Sequence, residues 1–134
     1  MGIELTARVR AIPVARTAED VAWLAGRLAK FFAGATNAIY APVGGDENPV
    51  TVLQDVEART VWMPEDAGVI MRTSGSTTGS GRLVGLSAAQ MRASAAATEA
   101  RLGGPCSWVL ALAPHHIAGL QVVARALLLS LIHI

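Results

Sequence analysis

Two periods of apolar positions run through the chain, and the switches between them mark its elements. Val21, Leu24, Leu28 and Phe31 recur at helical spacing, with Trp23, Arg27 and Lys30 off that line. Thr17 stands where a helix cap belongs, Glu19 and Asp20 suit a first turn, and Gly34 is a stop. Asn37 to Val43 reads as a short strand, ended by Pro42 and Gly44-Gly45. Asp46-Glu47-Asn48-Pro49 is a loop whose acids read as a solvated turn rather than a metal site, and Val50 to Arg59 reads as a helix. Ala67 to Met71 is an apolar run of strand length, and Leu83 to Leu86 reads as its returning strand. Ser87 followed by Gln90 is a capping box. It opens an alanine-rich helix that reaches about Arg101 and stops at Gly103-Gly104-Pro105. Trp108 to Leu112 is expected to be a further buried strand, and a last helix should run from near His116 to about Leu129. Strands alternating with helices predict an α/β domain with a largely parallel sheet flanked by helices.

Composition narrows the partners. With 134 residues, 52% of them hydrophobic, there is one domain's worth of chain and enough apolar content for a core. A net charge of +1, without a basic stripe interleaved with aromatics, gives no footprint for nucleic acid. The single cysteine, Cys106, has no intramolecular partner, which fits a reducing, cytoplasmic setting. Met1 to Arg10 lacks the apolar core of a signal peptide. The apolar stretch from Ile117 to Ile134 is interrupted by Gln121, Arg125 and His133, so a buried helix is expected and no membrane partner.

The candidate chemistry lies between the third and fourth apolar segments. From Thr73 to Ser80 every residue is a hydroxyl residue or glycine. Glycines let backbone N–H groups turn inward and hydroxyls add donors, a composition suited to wrapping phosphate oxygens. Arg82 at the far lip brings a forked cationic donor. On composition alone such segments are most often flexible linkers or plain surface loops. The chain has no Gly-Lys pair followed by Ser or Thr, so the segment is not a Walker loop.

Thr73-Ser74-Gly75-Ser76-Thr77-Thr78-Gly79-Ser80-Gly81-Arg82-Leu83-Val84 resembles the phosphate-binding signature of the adenylate-forming enzymes, the acyl-CoA synthetases and their relatives. Their pattern reads Thr-Ser-Gly-Ser-Thr-Gly-x-Pro-Lys-Gly-Val. Here one extra threonine lengthens the loop, and Gly81-Arg82-Leu83 stands where the family has Pro-Lys-Gly. A second block, Trp108 to Gln121 with His116-Ile117-Ala118-Gly119-Leu120, resembles the strand and His-x-x-Gly-Leu turn of the o-succinylbenzoate–CoA ligases of menaquinone biosynthesis. The resemblance runs from about Ala67 to Leu128.

It implies an AMP-forming acid–CoA ligase that uses ATP, Mg²⁺ and CoA as co-substrates and takes a small carboxylic acid. Thr73, Ser74, Gly75, Ser76, Thr77, Thr78 and Gly79 would form the ATP phosphate loop, and Arg82 would replace the family lysine. His116 would lie near the acyl carboxylate and Gly119 would leave room for the acyl group, whereas His115 reads as a helix-capping residue. A zinc site is not expected, since only His133 and Cys106 remain as further ligands. The family's Gly-rich Thr-Glu segment, ribose-binding aspartate and C-terminal lysine are absent from this sequence, so no complete catalytic set is expected. Leu129 to Ile134 departs from the family pattern and resembles translated adapter sequence. The expectation is therefore a partial N-terminal AMP-binding domain over residues 1–134, with 129–134 a non-native tail and no activity of its own. The alternatives are another acyl-CoA synthetase or a non-catalytic nucleotide-binding domain.

Overall fold

The computed structural model describes residues 9–15, 17–59, 66–73, 82–104 and 106–129. The elements run β1 (Val9–Val14), α1 (Ala18–Phe32), β2 (Ile39–Gly44), α2 (Pro49–Arg59), β3 (Ala67–Arg72), β4 (Leu83–Ser87), α3 (Ala88–Leu102) and α4 (Ile117–Leu129). The four strands form one sheet in the order β1-β2-β3-β4. β1, β2 and β3 are parallel, and β4 returns antiparallel to β3. The expected α/β class and largely parallel sheet are what the chain adopts.

Each strand splits its side chains between two cores, as a pleated ribbon must. Ile12, Val14, Tyr40, Val69 and Met71 pack on one face with Leu24 and Leu28 of α1, Met91 of α3 and Leu120 and Val123 of α4. Val9, Ile39, Ala41, Val43 and Ile70 pack on the other with Val52 and Val56 of α2. In β3, Ala67 joins Ile70 on the α2 face although the two are an odd number of residues apart. A break in register between Ala67 and Val69 accounts for it, the behaviour of a bulge. Gly68 sits in that break, and a Cβ there would run into the ring of Phe31. The aromatic ring of α1 thus lies directly on the β3 backbone.

The helix ends follow the sequence closely. Thr17 Oγ1 accepts from the Asp20 N–H at 3.1 Å. Asn48 Oδ1 accepts from the Val50 N–H at 2.9 Å ahead of Pro49, which opens α2 where its missing N–H costs nothing. At α3 the Ser87–Gln90 capping box is complete in both directions, at 3.1 and 2.9 Å. Gly103 ends α3 in the left-handed region, φ 85°, its N–H donating to the Glu99 carbonyl. Arg92 of α3 donates to the Phe32 carbonyl at 2.8 Å and lies over its ring, tying α3 to the end of α1.

Two features depart from expectation. The strand β1 is not apparent in the apolar pattern, because Arg10 and Pro13 interrupt it. At the sheet edge both are tolerated, since only one side of the strand needs ladder bonds. Trp108 to Leu112 was expected to be a buried strand and is not one. It is irregular and pairs with none of the described strands, and Val109 is 86% exposed. Leu110 is drawn in beside Val21 and Ala25 of α1 and Val123 of α4, and the half-buried Trp108 lies under the Arg125 guanidinium of α4, 5.7 Å from its ring centre. The segment crosses the helical layer, where there is no strand edge for its backbone to join.

Gly68→Ala should cost about 1–3 kcal/mol in a urea unfolding experiment, because the Phe31 ring must leave its seat; an unchanged midpoint would refute that contact. Ser87→Ala should cost about 1 kcal/mol in the same measurement through loss of the α3 cap.

Candidate functional site

Because β1, β2 and β3 are parallel, their carboxyl ends emerge at one edge, the usual ligand edge of an open α/β sheet. Val14-Ala15, Gly44-Gly45 and Arg72-Thr73 all lie there. The turn after β1 is pinned by the Ala15 N–H donating to Asp20 Oδ2 at 2.7 Å.

At the end of β3 the glycine-rich segment begins, and its neck is closed by two hydrogen bonds. The Thr73 N–H donates to the Arg82 carbonyl at 2.8 Å, and the Arg82 N–H donates to Thr73 Oγ1 at 2.8 Å. Thr73 and Arg82 are thus brought together, both exposed. Ser74, Gly75, Ser76, Thr77, Thr78 and Gly79, the rest of the expected phosphate loop, lie outside the described residues.

Beside the neck, Glu47 and Arg72 form a forked ion pair, Arg72 Nη1 to Glu47 Oε2 and Nη2 to Oε1, each 2.7 Å. Glu47 Oε1 also accepts from the Gly44 N–H at 2.9 Å. The hydrogen bond from Arg72 is the main reason the Glu47 carboxyl is lowered from 4.5 to about 2. Partial burial opposes the shift and the Gly44 N–H assists it. Reading the acids of this turn as merely solvated missed Glu47. The available signal was Arg72, a guanidinium at the end of a buried apolar strand, which needs an acidic partner.

A cleft of about 420 Å³ opens next to these groups, lined by Val14, Ala15, Gly45, Asp46, Ala113, His115 and His116. The two imidazoles are stacked at a tilt, ring centroids 4.1 Å apart. His116 is exposed, and its backbone carbonyl accepts from the Leu120 N–H in the first turn of α4. His115 is the more enclosed of the two. Its ring lies over Gly44, where a Cβ would come within 2.8 Å of Nε2, and its buried Nδ1 has no hydrogen-bond partner. Burial pushes the His115 pKa below 6.5, with the neighbouring His116 adding to the shift and Glu47 and Asp46 opposing it. Gly119 is buried, and its missing Cβ leaves space filled by the Ala113 carbonyl, so a close backbone approach requires glycine here. The loop carrying Asp46 and Glu47 joins the two halves of the site: Asp46 faces the histidine cleft, and Glu47 holds the end of β3.

Among the described residues no group of three or more His, Cys, Asp or Glu side chains could hold a metal ion. Among the same residues no helix is long and apolar enough to cross a membrane.

Comparison with known proteins finds a likeness to a CoA ligase, in keeping with the resemblance of the glycine loop and the His-x-x-Gly-Leu turn. The relative is a "Probable 2-succinylbenzoate--CoA ligase" of Mycobacterium tuberculosis, found in two strains and 48% identical over 64 residues. That stretch is 48% of this chain and 16% of the relative, so the chain is similar to a fragment of such a ligase. No protein-family model and no solved structure matches the chain.

Acid should lower the stability over two pH windows. His115 is held neutral in the fold, so stability falls as the pH drops below 6.5, where the unfolded imidazole takes a proton first. Glu47 is held ionised, so its contribution is complete above 4.5 and is lost as the pH falls from there through about 2. In urea titrations at stepped pH, His115→Gln should flatten the loss in the upper window and Glu47→Gln that in the lower.

Proposed function

We propose that this chain is the phosphate- and acyl-binding part of an o-succinylbenzoate–CoA ligase, acting in the cytoplasm on a step of menaquinone biosynthesis. The observation that carries the reading is the closed Thr73–Arg82 neck at the carboxyl end of β3, set beside the histidine cleft. The 48% identity to a succinylbenzoate–CoA ligase supports the choice of acid.

The reaction is adenylation of a carboxylate by ATP with release of pyrophosphate, followed by transfer of the acyl group to CoA. Its first difficulty is electrostatic, because a carboxylate must approach a polyphosphate. Donors preorganised around the β- and γ-phosphates lower that cost and stabilise the leaving pyrophosphate. Thr73 to Gly79 supply hydroxyl and backbone donors, and Arg82 supplies the positive charge from an exposed position at the neck. Mg²⁺ would arrive on the nucleotide's own phosphates. It would neutralise phosphate charge there. The cleft offers His116 to the acid's carboxylate, and Gly119 holds the turn that carries it close to Ala113.

The phosphate and acid sites lie within these 134 residues, so the reading is tested on ligand binding. Isothermal titration of the expressed chain tests the reading. Arg82→Ala should weaken ATP about tenfold and leave o-succinylbenzoate unchanged, whereas His116→Ala should do the reverse. Binding of ATP without the acid would favour a plain nucleotide-binding domain, and binding of neither would refute the proposal.

A further inference from the structure

The glycine loop leaves the sheet at Thr73, which the β3–β4 ladder holds on one side, registered as far as Arg72 opposite Leu83, while the β2 side is tied differently. β1 and β2 are registered along their whole length, from Val9 opposite Ile39 to Val14 opposite Gly44. β2 and β3 are registered at Tyr40 opposite Val69, with no further rung toward their carboxyl ends. Beyond that point the ends of β2 and β3 need another tie. Glu47 supplies it, accepting the Gly44 N–H at the end of β2 and both terminal nitrogens of Arg72 at the end of β3. Arg72 is bonded in the chain to Thr73, which in turn closes the neck with Arg82. A continuous path thus runs from the end of β2 through one carboxylate to both lips of the loop.

We propose that Glu47 and Arg72 are positioning residues for ATP: their forked ion pair sets where the glycine loop leaves the sheet, and phosphate binding depends on it. This rests on the phosphate-loop reading above. Neither residue needs to touch the nucleotide. A two-point guanidinium–carboxylate contact fixes direction as well as distance, which a single charge contact does not. Its two side chains are only 21% and 30% exposed, so solvent competes with it weakly.

The test is a double-mutant cycle read by ATP–Mg²⁺ titration of the full 134-residue chain. Glu47→Gln and Arg72→Gln should each weaken ATP about tenfold, and the double variant should lose about the same tenfold, not a hundredfold, because the pair acts as one unit. Arg72→Lys, which keeps the charge and loses the fork, should fall between and covers the case in which a glutamine variant does not fold. Val56→Ala, a core change in α2, should lower the melting temperature and leave ATP affinity within about twofold, separating positioning from general destabilisation. If the parent chain binds ATP and Glu47→Gln and Arg72→Lys bind it equally well, or if the two glutamine losses simply add, the positioning role is overturned while the phosphate loop stands. If the parent chain binds no ATP, the phosphate-loop reading falls and the positioning role with it.

Discussion

Parallel alignment of β1, β2 and β3 is the constraint from which the site follows. A parallel pair cannot be joined by a tight turn, so each strand must be followed by a crossover that returns to the opposite edge. α1 and α2 serve as those crossovers, which leaves the three carboxyl ends side by side. The Asp20-pinned turn after β1, the Gly44–Glu47 turn after β2 and the neck after β3 are neighbours for that reason alone. β4 breaks the pattern by returning antiparallel, so β3 and β4 pair as far as the bonds between Thr73 and Arg82.

Much of this order is legible in the sequence because it is local. The caps at Thr17 and Ser87, the stop at Gly103 and the apolar spacing of Leu24 and Leu28 are each settled within a turn or two of helix. What stays hidden is decided at long range. Glu47 and Arg72 are 25 positions apart, and nothing near either residue names the other. β1 hides because Arg10 and Pro13 spoil its alternation, and only its place at the sheet edge makes them acceptable. Trp108 to Leu112 misleads in the other direction. An apolar run states that something will be covered but not by what, and here Leu110 enters the groove between two helices while its neighbours face solvent.

The two histidines show the same division. The resemblance to the His-x-x-Gly-Leu turn singles out His116, whereas packing encloses His115 against the end of β2. The cleft therefore presents a pair of imidazoles in different surroundings, one exposed and one resting on backbone, and the contact with His116 adds to the lowering of the His115 pKa that burial causes.

The closure between Thr73 and Arg82 bears on how the length of the segment between them can vary. Its two ends are hydrogen-bonded to each other before the loop begins, so residues added between Thr73 and Arg82 do not alter the strands. Closing a loop lengthened by one residue costs roughly 0.1 kcal/mol of chain entropy, far less than a single hydrogen bond contributes. The extra threonine at Thr77-Thr78 is then a nearly free insertion, and drift in the length of this segment would leave the sheet, its register and the histidine cleft untouched.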